Sequence, residues 1–338
     1  MSKINLKKLA SELNVSISTV SKSLRNSHEI SADTKKKVLK KAEEIGYKPN
    51  PYARYMRNQK SKTIAIVIPE MINSFFLQVI NGAESIASEK DYHLLVYITH
   101  EDAKKEVSII NHLQNGRVDG IIMSLSSTTK DYAHISRCIN NNIPIIFFDR
   151  ISHEIETVKI TTDDFASGFA ATEHLIENGC RNIAYLSFSK KLSIDNKRMQ
   201  GYLEALNKHN IKFDKTKIVT CSNHEKTNYR QVKKLLTGAG KPDGIFASIE
   251  KLGLTTYSVC KDLNIKIPGQ LKLICFSNLA TADFLNPPLT TITQPANEMG
   301  VIAASQLFKY LDKKEPQMSN ENIIVKSMLT VRGSTIKL

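Results

Sequence analysis

The stretch NVSISTVSKSLRN, residues 14–26, sets five Ser or Thr, one Lys and one Arg within thirteen positions. Hydroxyl and cationic side chains donate to phosphate oxygens and base edges, so hydrogen bonding to a nucleic acid is the chemistry within their reach. Ser and Thr are weak helix formers. Val15, Val20 and Leu24 nevertheless fall on one helical face, and Ser16 suits an N-cap. A short helix with small hydroxyls outside can bring its backbone close to a duplex and point its first N–H groups at a phosphate. Ile17, Ser18 and Lys22 are the candidates for base edges, Ile17 for a thymine methyl and Lys22 for a guanine. Ser16, Thr19, Ser21, Arg25 and Asn26 are candidates for phosphate contacts, which position without reading sequence. A solvated face of a small bundle is the competing reading.

Three short helices are needed to hold that face. Leu6, Leu9, Ala10 and Leu13 predict the first, and Asn14-Val15-Ser16 a tight turn. The second runs from about Ile17 to Asn26. The third starts near Ser31, carries Val38, Leu39, Ala42 and Ile45 on its buried face, and stops at Gly46 ahead of Pro49. Two helices joined by so short a turn make a helix-turn-helix, whose second helix enters the major groove.

Charge placement agrees. The chain has 338 residues and a net charge of +14. Residues 1–62 carry 15 Lys/Arg against 5 Asp/Glu, and the rest 32 against 28. A basic head on a near-neutral body calls for a polyanion. A membrane surface would also need exposed apolar residues opposite the charges, and those of the head are committed to packing. No apolar run is long enough to span a bilayer, and MSKINLKKLASELN lacks the apolar core of a secretory signal, so a cytoplasmic protein without membrane partners is expected. Cys138, Cys180, Cys221, Cys260 and Cys275 are scattered and never paired as CxxC, which fits buried reduced thiols.

From Thr63 the pattern changes. Apolar runs at 63–69, 93–99, 118–125, 143–149, 157–163, 182–188, 217–222, 244–249 and 271–277 alternate with amphipathic helices such as Phe165–Asn178, Asn196–Asn210, Tyr229–Leu236, Leu252–Leu263 and Glu298–Leu311. Such alternation gives parallel sheets covered on both faces, and its length requires two doubly wound α/β lobes. Ligands bind such sheets at the carboxyl ends of their strands. The stretch ENIIVKSMLTVRGST adds one or two strands to a sheet edge. No GxGxxG, GxxxxGK[ST] or GxSxG motif and no His/Cys metal spacing is present, so neither an enzyme nor a cofactor or metal protein is expected. His174 and His209 lie on helices without acidic or nucleophilic partners at useful spacing and read as surface or packing residues.

The segment LKKLASELNVSISTVSKSLRNSHEISADTKKKVLKKAEEIGYKPNPYARYMR resembles the headpiece of the lactose/galactose repressor (LacI/GalR) family. DGIIM, PIIFFDR, TTDD, HLIENGCRNIAYL, RMQGYLEAL, LNPPLTTITQPANEMG and VRGST extend the resemblance through the chain. It implies a headpiece at 1–49, a hinge at 50–61, and a two-lobed effector-binding and dimerisation body at 62–338. The first lobe spans about 62–160 and 293–322, the second about 161–292 and 323–338. The body is similar to periplasmic sugar-binding proteins of type I.

The implied function is a transcriptional repressor, a homodimer on double-stranded operator DNA, controlled by a small-molecule effector of carbohydrate type. Its hinge would fold on DNA, with Asn50 as cap, Pro51 as first residue, Met56 where the family has a Leu wedge, and Tyr52, Ala53, Arg54 and Arg57 against the duplex. The cleft between the lobes would be lined by Asn73, Phe75, Asp149, Arg198, Asn278 and Gln294, with Glu250 and Asp163 behind them. Asp149 could instead pair with Arg150, and Phe75 or Phe76 could be plain core. CFSN at 275–278 replaces the family's GFDD, ASIEKLGL at 247–254 departs from its ANDxxAxG, and Trp is absent, so the effector should differ from the best-known ones. A secreted solute-binding protein and an enzyme on a nucleotide-binding fold are the alternatives, and the basic head opposes the first. Ending soon after VRGST, without a heptad tail, the chain is expected to stop at the dimer.

Overall fold

A computed structural model describes residues 6–24, 26–47, 60–114, 116–189, 192–313 and 319–336. They fall in two compact units, Met1–Ser61 and Lys62–Leu338.

The head unit holds α1 (Leu6–Glu12), α2 (Ile17–Ser23) and α3 (Ala32–Glu44). Leu9, Ala10, Val20, Val38 and Ala42 form its core, with Leu6, Leu13, Val15, Leu24, Ile45 and Tyr47 packed around them. Asn14 makes the turn in the left-handed region at φ 53°, a conformation Asn tolerates, and the Val15 N–H closes it on the Ala10 carbonyl at 3.1 Å. Gly46, at φ 67°, ends α3 in the same way, the Tyr47 N–H reaching the Ala42 carbonyl at 2.8 Å. Two expectations change. α2 stops three residues early, and Asn26 lies beyond it at φ 55°. Leu39 is 53% exposed while Val38 is buried, because adjacent helical residues point about 100° apart. Arg25 and residues 48–59, which include the whole expected hinge helix, lie outside the described residues.

The body carries two six-stranded sheets. The first is built from β1 (Thr63–Ile68), β2 (His93–Ile98), β3 (Gly120–Met123), β4 (Ile145–Phe148), β5 (Lys159–Thr162) and β11 (Asn322–Val325), in the order β11-β5-β4-β3-β1-β2 and all parallel. The second joins β6 (Ile183–Ser187), β7 (Ile218–Thr220), β8 (Gly244–Ala247), β9 (Lys272–Phe276), β10 (Thr290–Thr293) and β12 (Met328–Thr330), in the order β12-β10-β9-β8-β6-β7. Here only β12 runs antiparallel. β1, β3, β4, β6 and β8 are buried along almost their whole length because helices cover both faces. The helices are α4 (Ser74–Glu89), α5 (Ala103–Leu113), α6 (Ala133–Asn140), α7 (Asp164–Glu177), α8 (Ser193–Lys208), α9 (Glu225–Thr237), α10 (Glu250–Asp262) and α11 (Ala296–Lys313). None among the described residues is long and apolar enough to cross a membrane.

The chain changes lobe three times, after β5, after β10 and after β11. The expected limits at 160, 293 and 322 fall within or at the ends of strands. A strand is hydrogen-bonded as a unit, so each passage sits in the loop beyond, at 163, 294–295 and 326–327. The C-terminal stretch gives one strand to each sheet. All five cysteines are buried and free.

Each lobe depends on one close helix pair. A Cβ on Gly82 of α4 would sit 2.0 Å from the Asn297 carbonyl oxygen, and one on Gly300 of α11 2.1 Å from that of Val79. In the second lobe a Cβ on Gly168 of α7 would sit 2.3 Å from the Arg198 carbonyl oxygen, and one on Gly201 of α8 2.2 Å from that of Phe165. Backbone therefore meets backbone, with no flexible side chain able to give way. Gly168→Ala is expected to cost on the order of 1–3 kcal/mol, as overpacking does, against little for Gly269→Ala, where the nearest atom, Lys266 Cβ, lies 3.8 Å away and the backbone is not left-handed. Chemical denaturation of the two variants checks this; equal midpoints would show that α7 and α8 have room to part.

Candidate functional site

On the head, α2 presents what the sequence places there. Ser16 accepts the Thr19 N–H at 3.0 Å and meets the Thr19 hydroxyl at 2.9 Å, which caps the helix. Ser16 and Ser18 are exposed, and Ile17 is 44% exposed. Such exposure is unusual for Ile in a bundle whose other large apolar residues on α1 and α2 are covered. Thr19, Ser21 and Lys22 are half-buried and Asn26 is exposed. Ser23 turns inward and donates to the Thr19 carbonyl at 2.8 Å, so the outer hydroxyl face consists of 16, 18, 19 and 21. The Lys22 ammonium lies on the Glu29 carboxylate. Both are exposed enough that this pair is worth under about 1 kcal/mol and yields readily to a guanine or phosphate. Glu29 was not among the expected contacts, since only the fold brings it to Lys22.

In the body, the ends of β4, β5, β8 and β10 and the starts of α7 and α8 bring six polar residues together, Asp149, Thr162, Ser248, Gln294, Asp164 and Arg198. Asp149 follows β4 in the left-handed region at φ 56°, with its N–H on the Ile160 carbonyl at 2.9 Å. Gln294, in the second passage between lobes, donates through Nε2 to Asp149 Oδ1 at 3.4 Å and to Thr162 Oγ1 at 3.3 Å. Arg198, one turn into α8, is buried. Its Nε donates to Asp164 Oδ1 at 2.7 Å and its Nη1 to the Ser248 carbonyl at 2.7 Å. The guanidinium lies 3.6 Å from the centre of the Phe276 ring. Among the described residues Nη2 has no partner. A buried donor without an acceptor is costly, which makes this nitrogen the group a ligand oxygen would satisfy.

The α8 start is itself anchored. Asp195 accepts from the Ser187 hydroxyl at 2.9 Å, from the Ser189 N–H at 2.7 Å and from the Tyr185 hydroxyl, tying the helix to the end of β6.

The other expected residues serve the frame. Asn278 is fully engaged. Its Nδ2 donates to Gln78 Oε1 at 3.0 Å and to the Gln294 carbonyl at 2.7 Å, and its Oδ1 accepts the Gln294 N–H at 3.2 Å. With Gln78 Nε2 on the Asn278 carbonyl at 3.2 Å, it ties the lobes together. Glu250 does likewise, accepting from Ser277 at 2.7 Å and from Ser74 of the other lobe at 3.3 Å. Asn73 caps α4 through the Phe75 N–H at 3.0 Å. Phe75 is buried in the first lobe's core beside Phe76 and Phe148, the alternative held open for it. Asp163 is exposed and caps α7, while Asp164 is the buried carboxylate. The doubled Asp was the only sequence signal for it. Arg150 pairs with Glu101 at 2.5 Å and stands 3.9 Å from Asp149. It also faces the Phe76 and Phe188 rings of opposite lobes. Burial works against charge on Glu101, yet the Arg150 guanidinium holds its carboxyl below the usual range. Of the two histidines, His174 meets the Thr335 hydroxyl at 2.8 Å, and His209 has the acidic partner that spacing alone concealed, Glu173 at 3.0 Å.

Burial pushes the Asp164 carboxyl up to about 6, with Arg198 opposing and the Asp149 charge adding to the rise. The ordinary aspartate value is 3.8. The folded chain therefore holds this proton more tightly than the unfolded one, and the stability contributed by this group falls as pH rises from about 4 towards about 6. Asp164→Asn should remove that part of the slope. Denaturation midpoints of both proteins between pH 4 and 7 check it, and parallel curves would contradict the assignment.

The chain matches the family model described as bacterial regulatory proteins, lacI family, over residues 5–50. Over 172–335 it matches the periplasmic binding protein-like domain. It is 30% identical over 334 residues to the HTH-type transcriptional regulator RegA of Clostridium saccharobutylicum, covering 98% of this chain and 99% of that one. Among solved structures it is similar to the Lac repressor dimer bound to operator and the anti-inducer ONPF, with TM-score 0.83 and 19% identity over 99% of this chain and 100% of that one. It is also similar to the transcriptional regulator CelR–cellobiose complex, with TM-score 0.73 and 23% identity over 98% and 100%.

Proposed function

This chain belongs to the lacI family of bacterial regulatory proteins, DNA-binding regulators of transcription, and from that premise we propose that it is a repressor whose operator affinity is set by a small polyol, most simply a sugar, held between its lobes. The observation that carries the DNA reading is the outer face of α2. It is a capped helix with exposed Ser16, Ile17 and Ser18 and a weakly held Lys22, in a head of strongly positive charge. Helix geometry allows Ile17, Ser18 and Lys22 to meet base edges while Ser16, Thr19 and Ser21 meet phosphates. In the body, Arg198 Nη2 offers a donor and Asp149 an acceptor, a combination suited to the hydroxyls of a polyol. Cellobiose in CelR is of this chemical type. Asn278 and Glu250 join the lobes, so a ligand that alters their spacing alters the body's geometry and through it the head's affinity for DNA.

Lys22→Ala is expected to lower the ratio of operator to scrambled-duplex binding by roughly tenfold or more, the worth of one base contact, while leaving weak non-specific binding in place. Band-shift titrations at fixed salt measure both arms. An unchanged ratio would remove Lys22 from base reading.

We read the working unit as a dimer, because two heads match a two-fold operator. The surface that supports this reading is the open edge of the first sheet, where Leu95 and Val96 of β2 are each 39% exposed, together with Met71, Ile72 and Leu77, uncovered in the segment that leads from β1 to β2. Val96→Lys should shift the chain from dimer to monomer in sedimentation equilibrium and weaken operator binding with it. A dimer of unchanged strength would place the interface elsewhere.

A further inference from the structure

The second sheet ends at β7, a strand of three residues paired on one side only, with β6. Between this edge and α9 lies a groove of about 300 Å³. Thr216, Lys217 and Val219 line it from the strand side. Gln231, Lys234, Leu235 and Gly238 line it from the helix, at the i, i+3, i+4 and i+7 positions of one face. The volume is at the small end of the range for metabolite pockets.

Two independent features point to a ligand. The first is charge. Residues 208–241 carry nine Lys/Arg against two Asp/Glu, while the rest of 63–338 carries 23 against 26. The body's excess positive charge is thus gathered in the segment that carries this groove, and Lys217 and Lys234 of that segment line it. Among the described residues Lys217 and Lys234 have no salt-bridge partner. Lys217 hydrogen-bonds the Gly240 carbonyl and lies within electrostatic reach of Asp214, whose carboxylate is hydrogen-bonded to the Thr216 N–H and hydroxyl at 2.8 and 2.7 Å. The second is Gln231. Its Oε1 is buried without a hydrogen-bond donor among the described residues, although the helix that carries it is otherwise regular. A buried carbonyl oxygen of this kind calls for an N–H or O–H.

We propose that this groove is a second small-molecule site, separate from the cleft between the lobes, for a phosphomonoester. Lys217 and Lys234 hold the phosphate as point charges, Gln231 Oε1 accepts a hydroxyl or N–H of the organic part, and Val219, Leu235 and Ala239 cover its apolar face. Sugar monophosphates and nucleoside monophosphates share this chemistry. The proposal does not depend on DNA binding or on what the cleft takes.

Calorimetric titration of the full chain at low salt with glucose 6-phosphate, AMP, glucose, adenosine and inorganic phosphate tests it. Lys234→Glu and Gln231→Leu are the variants, their folding checked by circular dichroism. At least one ester should bind saturably, at least tenfold more weakly in Lys234→Glu and about threefold more weakly in Gln231→Leu, with its unphosphorylated parent binding neither protein through this groove. The ester that binds identifies the source. The proposal is overturned if no ester binding is lost in Lys234→Glu, or if inorganic phosphate binds as tightly as the esters and Gln231→Leu is without effect. It is likewise overturned if ester binding is lost only in Arg198→Lys, which would place the ligand in the cleft.

Discussion

The contact of α7 with α8 through Gly168 and Gly201 sets the geometry on which the cleft depends. It brings the backbone of Arg198 against α7 at the turn following Asp164, so guanidinium and carboxylate meet at 2.7 Å inside the protein. A buried pair of this kind stabilises little by itself, because the charges lose as much in leaving water as they gain from each other. Its value is positional. With Nε on Asp164, Nη1 on Ser248 and Phe276 beneath, the guanidinium is fixed in plane, and its remaining nitrogen has one direction in which to look. Asp195 fixes the other end of the same turn, so three consecutive features of the α8 start serve one side chain.

The lobes are joined by side-chain amides and carboxylates rather than by a continuous apolar core. Gln78 and Asn278 exchange hydrogen bonds, Ser74 reaches Glu250, and Arg150 stands between aromatic rings of the two sides. Polar joints exchange partners with water at modest cost, whereas each lobe's interior is close-packed and resists deformation. The polar joint and the three passages between the sheets, one of which carries Gln294, are the places where the lobes are held by the fewest close-packed contacts.

Much of this was legible in the residues. Alternating apolar runs and amphipathic helices gave two parallel sheets, and the spacing of Val20, Leu9 and Val38 gave the three-helix head. Strand limits were less legible, since an apolar run continues past the strand's end into the buried loop that follows, as at Leu125 after β3. Arg198, Asp149 and Gln294 were expected from the family resemblance; Gln294 reaches Asp149, and Arg198 pairs with Asp164, which the Asp149 charge also influences. Asn73 and Phe75 were not distinguishable from a cap and a core ring, which are their roles in the structure, because residue type alone does not say which way a side chain turns. Asp164, Gln78 and Glu101 act across long sequence separations, and apart from the doubled Asp at 163–164 no local pattern marks them.

The order of the first sheet carries a consequence for how the chain is made. Its core needs α11, and one of its outer strands is β11, both supplied after all of the second sheet except β12 has been synthesised. On a ribosome the first lobe emerges early yet must wait for its closing pieces, leaving the face destined for α11 uncovered meanwhile. Neither lobe can be cut out as one uninterrupted segment, so any trimmed version would have to splice distant stretches of chain.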